Sequence, residues 1–412
     1  MGVSHLTDPQ YNGLSSLYSP LNKGFIYNDH TKMHLEAQAI VLAAGPGMRM
    51  TTLTNHTPKC LLPVGTLPMV CYPLQILQEA GFSGMCVCVC MMSKVVEQYG
   101  LKLNLDIAPV NTSHDPGTAD SLRHIASKIK RSVDDVVIVT SDLVTDAKLQ
   151  PIMDQHRSSG AALTMLTANQ QPEFLKATPP GPKTKPTINN DVICTQSKTG
   201  RLMYAVAGGD YDEVISLHNR VMKSAKSLNV STSTVDAHLY IMKRWLVDYI
   251  LSKEYVGPLY LTNLYFLADI YDVLETEEFD DLVRKYNSSV VLSRHHNSLE
   301  LDARVCYVYH HPGCCVRANT LNSYWELSRK VSWQFSDITT FLITIIYFAF
   351  PIGFCTLKLS LQVSDDSLIG SGSVICEKTN ITSSVIGNHC RINSFVRILN
   401  CALGDHITIA PG

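Results

Sequence analysis

From Ile369 to Ile409, aliphatic residues recur at steps of six: Ile369, Ile375 and Ile381, then Ile386, Ile392 and Ile398, then Leu403 and Ile409, with steps of five between the sets. Helices and strands present one face at periods of about 3.6 and 2, so this spacing belongs to neither. It is a solenoid period, in which three short faces close a triangular coil and stacked coils share an apolar interior. Gly370, Gly387 and Gly404 each follow the first residue of a set, while Val374, Cys390, Val396, Ala402 and Ile407 fall near the corners. The pattern predicts a short left-handed parallel β-helix of hexapeptide repeats, about two and a half coils long. Its last edge needs covering, by a partner or by further sequence.

Upstream the rhythm is different. From Glu36 onward short apolar runs alternate with helical patterns, the mark of a parallel sheet flanked by helices. Ala39 to Ala43 predicts a buried strand running into the glycine turn Gly45-Pro46-Gly47. Pro73 to Ala80 predicts a helix stopped by Gly81, and Met85 to Met92, apolar on both faces, predicts a strand in the sheet centre. Thr118 to Ile129 carries a helical stripe (Ala119, Leu122, Ile125, Ala126, Ile129), and Val136 to Thr140 is the next buried strand, ending at Ser141-Asp142. Prolines and lysines between Gln171 and Asn190 predict an exposed loop. Strands follow at 191–195, 202–206 and 238–242, and helices at 243–251 and 260–274.

A formal net charge of −2 gives no electrostatic footprint for nucleic acid or anionic lipid. The 13 cysteines are odd in number, and Cys86, Cys88 and Cys90 alternate with apolar residues, so they predict reduced core thiols rather than disulfides or a zinc site. The first 32 residues are polar and lack a signal-peptide pattern, which predicts a mobile tail. Ile338 to Leu357 is a run of 20 residues without a charge, long enough to cross a bilayer. Pro351, Gly353 and its many β-branched residues predict a buried apolar insert instead, and no membrane is expected.

The chemistry concentrates in Leu42 to Val64 and two later turns. A glycine-rich turn directly after a strand lets backbone N–H groups approach phosphates. Arg49, two residues beyond Gly47, and Lys59, ten beyond Arg49, add two cations flanking the cradle, as pyrophosphate release requires. The stretch resembles the signature of the sugar-nucleotide pyrophosphorylases: Gly-x-Gly-Thr-Arg-Leu, then Pro-Leu-Thr, then Pro-Lys-x-Leu. Gly117-Thr118-Ala119 resembles that family's nucleoside-contacting turn, and Ser141-Asp142 its metal-binding aspartate. The fold that the resemblance implies is an α/β, Rossmann-like nucleotidyltransferase domain with a mixed sheet. The departures are specific. Met48, Met50 and Thr52 replace the hydroxyl residue, the leucine and the proline of the first motif. No Glu-Lys-Pro segment is present to hold a sugar, and His238 stands where a glycine lets the sugar approach. The closing Trp-x-Asp-x-Gly turn, source of the second metal ligand, is read as Tyr324-Trp325-Glu326-Leu327-Ser328.

Degenerate pyrophosphorylase motifs joined to a hexapeptide tail are similar to the gamma-subunit family of eukaryotic translation initiation factor 2B. The resemblance implies four regions: an extension (1–35), a nucleotidyltransferase-like domain (36–332), an apolar insert or linker (333–357) and a truncated β-helix (358–412). It also implies a non-catalytic cytosolic subunit of the exchange factor that returns GDP-bound initiation factor 2 to its GTP form. Its partners would be the epsilon subunit and the remaining subunits, with initiation factor 2 as the substrate G protein and no cofactor. Gly45, Gly47, Arg49, Lys59, Gly117, Thr118 and Asp142 would then be a vestigial nucleotide site. The rival expectation is an active sugar-1-phosphate nucleotidyltransferase, of GDP-mannose or glucose-1-phosphate type. There Arg49 and Lys59 would be catalytic and Asp142 would hold Mg2+. The pairs His295-His296 and His310-His311 read as solvated, and Trp245, Trp325 and Trp333 as packing residues.

Overall fold

The computed structural model describes residues 37–45, 47–55, 57–82, 84–89, 104–108, 118–176, 190–206, 208, 227–252, 306–334, 356–357, 362–364 and 367–412. The N-terminal tail, the helix expected at 260–274 and the apolar run up to Cys355 lie outside these residues.

The strands in chain order are β1 (Ala37–Leu42), β2 (Gly84–Val89), β3 (Asn104–Ile107), β4 (Asp135–Thr140), β5 (Leu143–Thr145), β6 (Leu163–Asn169), β7 (Val192–Gln196), β8 (Leu202–Val206), β9 (Leu228–Ser231), β10 (Thr234–Lys243), β11 (Cys306–His311) and β12 (Cys315–Arg317). The principal helices are α1 (Cys71–Glu79), α2 (Thr118–His124), α3 (Leu149–Ser159), α4 (Arg244–Ser252) and α5 (Leu321–Gln334). Seven strands form one sheet in the order β11-β6-β10-β4-β1-β2-β3. All run the same way except β10, which is antiparallel to both of its neighbours. The mixed α/β sheet is as the sequence implies, but the strand expected at its centre, described as Gly84–Val89, lies one position in from the edge, because among the described residues β3 is the only strand beyond it in this sheet.

The reason lies in the runs themselves. β1 and β4 carry the Ala/Ile/Val/Leu runs 39–42 and 136–139, and neither face of β1 reaches water, as a parallel strand covered on both sides requires. Ile40, Leu42, Ile138, Leu163 and Met165 from the sheet pack with Leu122, Ile125, Trp245, Leu246 and Ile250 from the helices and their flanks. The stripe expected over 118–129 is broken after His124 and resumes as a single turn at Ala126–Lys128, yet Leu122, Ile125 and Ile129 are all buried. β7, β8 and β9 make a separate antiparallel sheet, and β12 pairs antiparallel with β5.

The C-terminal part is a stack of parallel two- and three-residue strands on three faces. One face holds Thr356–Leu357, Val374–Ile375, Arg391–Ile392 and Thr408–Ile409; the second Gln362–Val363, Asn380–Thr382 and Arg397–Leu399; the third Leu368–Ile369, Val385–Ile386 and Ala402–Leu403. Ile375, Ile381, Ile386, Ile392 and Ile398 form its interior, as their spacing predicts. Val374 and Ala402 point outward instead of packing at corners, because each precedes an inward residue on its strand and successive side chains alternate. Cys390 and Val396 are buried. The glycines Gly370, Gly387 and Gly404 stack one above another. A Cβ on Gly370 would lie 2.5 Å from the carbonyl of Gly387, and one on Gly387 2.5 Å from the carbonyl carbon of Gly404. α5 joins the two parts: the Tyr324 hydroxyl donates to the Pro63 carbonyl (2.7 Å), and Arg329 Nη2 donates to Asn400 Oδ1 on the coil (2.8 Å).

Candidate functional site

In an open α/β sheet the loops at the carboxyl ends of adjacent strands form the natural crevice. Here the glycine loop follows β1 and Asp142 follows β4, its neighbour in the sheet. The antiparallel β10 lies on the other side of β4 and brings its early residues, Asp236 and His238, to the same edge. β12 then returns alongside β5, with Arg317 opposite Leu143 and the Ala318 N–H donating to the Asp142 carbonyl at 2.9 Å.

Gly45 is exposed and has open space where a side chain would begin. Gly47 is fixed by its backbone: its φ is 75°, and a Cβ there would meet Thr54 Cγ2 at 2.6 Å. Arg49 sits in the single turn Met48–Met50, exposed, with no ion-pair partner among the described residues. Lys59 opens the turn Lys59–Leu61, and Thr118 is the first residue of α2. Gly117 lies outside the described residues.

Asp142 is the centre of the arrangement and is 2% exposed. Lys59 Nζ donates to its Oδ2 at 2.5 Å, while Arg317 donates from Nε to Oδ1 at 3.3 Å and from Nη2 to Oδ2 at 3.1 Å. Burial alone would push this carboxyl up, but the Arg317 and Lys59 charges overcome it and hold Asp142 well below the usual carboxylate range. His238 adopts φ 54°, the left-handed conformation that glycine takes without strain, at the point where the β10–β6 register shifts. Burial, and then the Arg317 charge, lower its pKa well below the ordinary value, so the ring is neutral. Burial also pushes the Asp236 carboxyl up to about 7, although the Tyr240 hydroxyl and the His238 backbone N–H both donate to it.

Sequence reasoning missed Arg317, and the structure corrects the reading of the closing turn. Tyr324 to Ser328 is the interior of α5, where Glu326 pairs with Arg329 (3.2 Å) and Lys330 (3.0 Å). The residue that faces Asp142 is Arg317. Cys315-Val316-Arg317-Ala318-Asn319 shares no residue with Trp-x-Asp-x-Gly, so no local signal marks it. The donor set does not fit Mg2+, which takes oxygen ligands. Both Asp142 oxygens already accept from cations, and among the described residues no three His, Cys, Asp or Glu side chains group to hold a metal ion. The pair His310-His311 is not simply solvated: His311 Nε2 bonds Asp146 Oδ1 at 2.7 Å, while His310 is exposed.

Residues 38–174 match the family described as Nucleotidyl transferase, which accounts for β1 through β6 and the motifs between them. Over 321 residues the chain is 28% identical to the translation initiation factor eIF2B subunit gamma of Caenorhabditis elegans, covering 74% of this chain and 70% of that one. By sequence this chain is a relative of eIF2B gamma subunits. An eIF2B epsilon subunit from Schizosaccharomyces pombe is 25% identical over 50% of this chain and 30% of that protein. A mannose-1-phosphate guanylyltransferase of Mycobacterium tuberculosis is 29% identical over 32% of this chain and 36% of its own length. The relationship to eIF2B gamma thus reaches far beyond the nucleotidyltransferase motifs, whereas that to the sugar-nucleotide enzyme covers about a third of the chain.

Proposed function

We propose that this chain is a non-catalytic subunit of the eIF2B guanine nucleotide exchange factor, built on a degenerate nucleotidyltransferase domain. The observation that carries the reading is the extent of the match: eIF2B gamma relatives align over 74% of the chain. In this role the chain assembles with an epsilon subunit and the other subunits and helps bind initiation factor 2. GDP release follows because the assembled complex binds the nucleotide-free G protein more tightly than the loaded one. The chain works in the cytosol. Among the described residues no helix is long and apolar enough to cross a membrane.

Catalytic silence of the nucleotidyltransferase domain is part of the same reading. An active enzyme of this type needs a metal to offset charge on the transferring phosphate. The carboxylate available for it is committed to Lys59 and Arg317. Gly45, Gly47, Arg49, Lys59, Gly117 and Thr118 remain as the outline of a nucleotide cradle, and Asp142 as the remnant of its metal ligand. The terminal coil is read as left-handed, supported by non-glycine residues of positive φ at Lys378, Ser383, His389, Phe395, Asn400 and His406. The domain division proposed is 36–332 for the sheet and 358–412 for the coil, with the coil's first strand already at Thr356–Leu357.

Two measurements test this. Affinity purification of the full chain followed by mass spectrometry should recover the remaining subunits of the factor; their absence would refute the assignment. Incubation with GTP or ATP, a hexose 1-phosphate and Mg2+ should release no pyrophosphate, and sustained release would favour the nucleotidyltransferase reading instead.

A further inference from the structure

The pocket around Asp142 has lost its place for a metal but not the charge that a metal would supply. A divalent ion on one carboxylate leaves a net charge of +1. Asp142 with Lys59 and Arg317 leaves the same net charge, supplied entirely by the chain. We propose that Lys59 and Arg317 stand in for a divalent cation here, fixing a permanent positive charge at Asp142 and closing the pocket to Mg2+ and Mn2+.

Three features support the substitution. The guanidinium grips Asp142 with two donors, Nε on Oδ1 and Nη2 on Oδ2, so both oxygens already face a fixed cation that would repel a metal ion. Arginine stays protonated across the accessible pH range, so the charge cannot be titrated away. The backbone also fixes the pair: Arg317 is registered opposite Leu143, and the Ala318 N–H bonds the Asp142 carbonyl, so β12 cannot carry the guanidinium away while β5 and β12 remain paired. The other buried carboxylate at this edge, Asp236, accepts from the Tyr240 hydroxyl and the His238 N–H rather than facing Asp142 as a second ligand. The argument concerns the pocket alone and stands whether or not the chain assembles into an exchange factor.

Titrating the full-length chain with Mn2+ and following the free-ion signal by electron paramagnetic resonance tests it. Wild type and Asp142→Asn should both track the protein-free control. Arg317→Asp, which restores a second carboxylate opposite Asp142, should remove one equivalent of free Mn2+ per chain, saturably. A saturable site in the wild type that Asp142→Asn abolishes would overturn the proposal. So would a folded Arg317→Asp chain, as judged by circular dichroism, that takes up no Mn2+. If that variant does not fold, the comparison of wild type with Asp142→Asn decides the matter.

Discussion

Replacing Arg317 by methionine keeps an unbranched apolar stem and removes the guanidinium. Stripping a buried ion of its sole partner costs about 3–5 kcal/mol. Asp142 would keep Lys59 at 2.5 Å, so it is not left bare. What disappears are the two guanidinium hydrogen bonds, at 3.1 and 3.3 Å, from a side chain 24% exposed. Charge-assisted bonds are worth about 1.5–3 kcal/mol, and partial exposure and the stretched geometry put Arg317→Met near the low end, about 2 kcal/mol. At about 2.1 cal/mol/K of unfolding entropy per residue, a unit of this size shifts by about 1–2 °C per kcal/mol, so thermal unfolding followed by circular dichroism should shift down by about 2–4 °C. Asp142→Asn in the wild type leaves two cations unpaired, whereas in the Arg317→Met background it leaves one. The double-mutant cycle should therefore show a coupling of about 1–3 kcal/mol. A single variant within about 1 °C of wild type, or a cycle that closes to zero, would refute the reasoning that this triad holds β12 to the sheet.

His238→Gly should be less damaging than His238→Ala, by about 1 kcal/mol in urea unfolding, because the backbone there has a φ of 54° that only glycine accepts without strain. The same variant should expose a hidden pH dependence. Asp236, raised to about 7 when folded, adds stability that is complete below its unfolded pKa of about 3.9 and lost as pH rises through 7. His238, lowered when folded, opposes this, since the unfolded chain gains its proton below about 6.5. His238→Gly removes the opposing group, so from pH 7 to pH 5 its stability should rise by about 2 kcal/mol more than that of wild type; no relative rise would contradict the assignment. Gly387→Ala should destabilise the coil by about 1–3 kcal/mol or more, since its Cβ would lie 2.5 Å from both Asp405 Oδ1 and the Gly404 carbonyl carbon. Faster limited proteolysis after Val385 would report it.

Both architectures are legible in the sequence because each rests on period and composition. Ile375 to Ile398 announce the coil by spacing alone, and the Ala/Ile/Val/Leu runs of β1 and β4 announce a sheet covered on both faces. The site is legible only where backbone requirements leave a residue signature, as at Gly47, or where a strand end presents a lone carboxylate, as at Asp142. Arg317 was not legible. It lies 175 residues from Asp142, and nothing in its local pattern distinguishes a buried guanidinium from an exposed one. Only the antiparallel return of β12 onto β5 makes it a neighbour. His238 was legible as a departure from the motif, but its left-handed backbone was not, since a positive φ leaves no mark on a non-glycine residue.

The same geometry explains how a buried Asp142 is tolerated at the end of β4. A carboxylate 2% exposed at a strand end is tolerable only when compensated, and a reversibly bound metal compensates it only part of the time. Once an arginine occupies the facing strand, compensation is continuous and independent of metal supply. Removing the carboxylate then becomes the costly change, because it would leave Lys59 and Arg317 crowded together without an anion. On the non-catalytic reading proposed above, Asp142 serves stability rather than chemistry. The pocket's outline is accordingly a poor guide to whether its reaction survives: the informative residue is the partner across from the carboxylate.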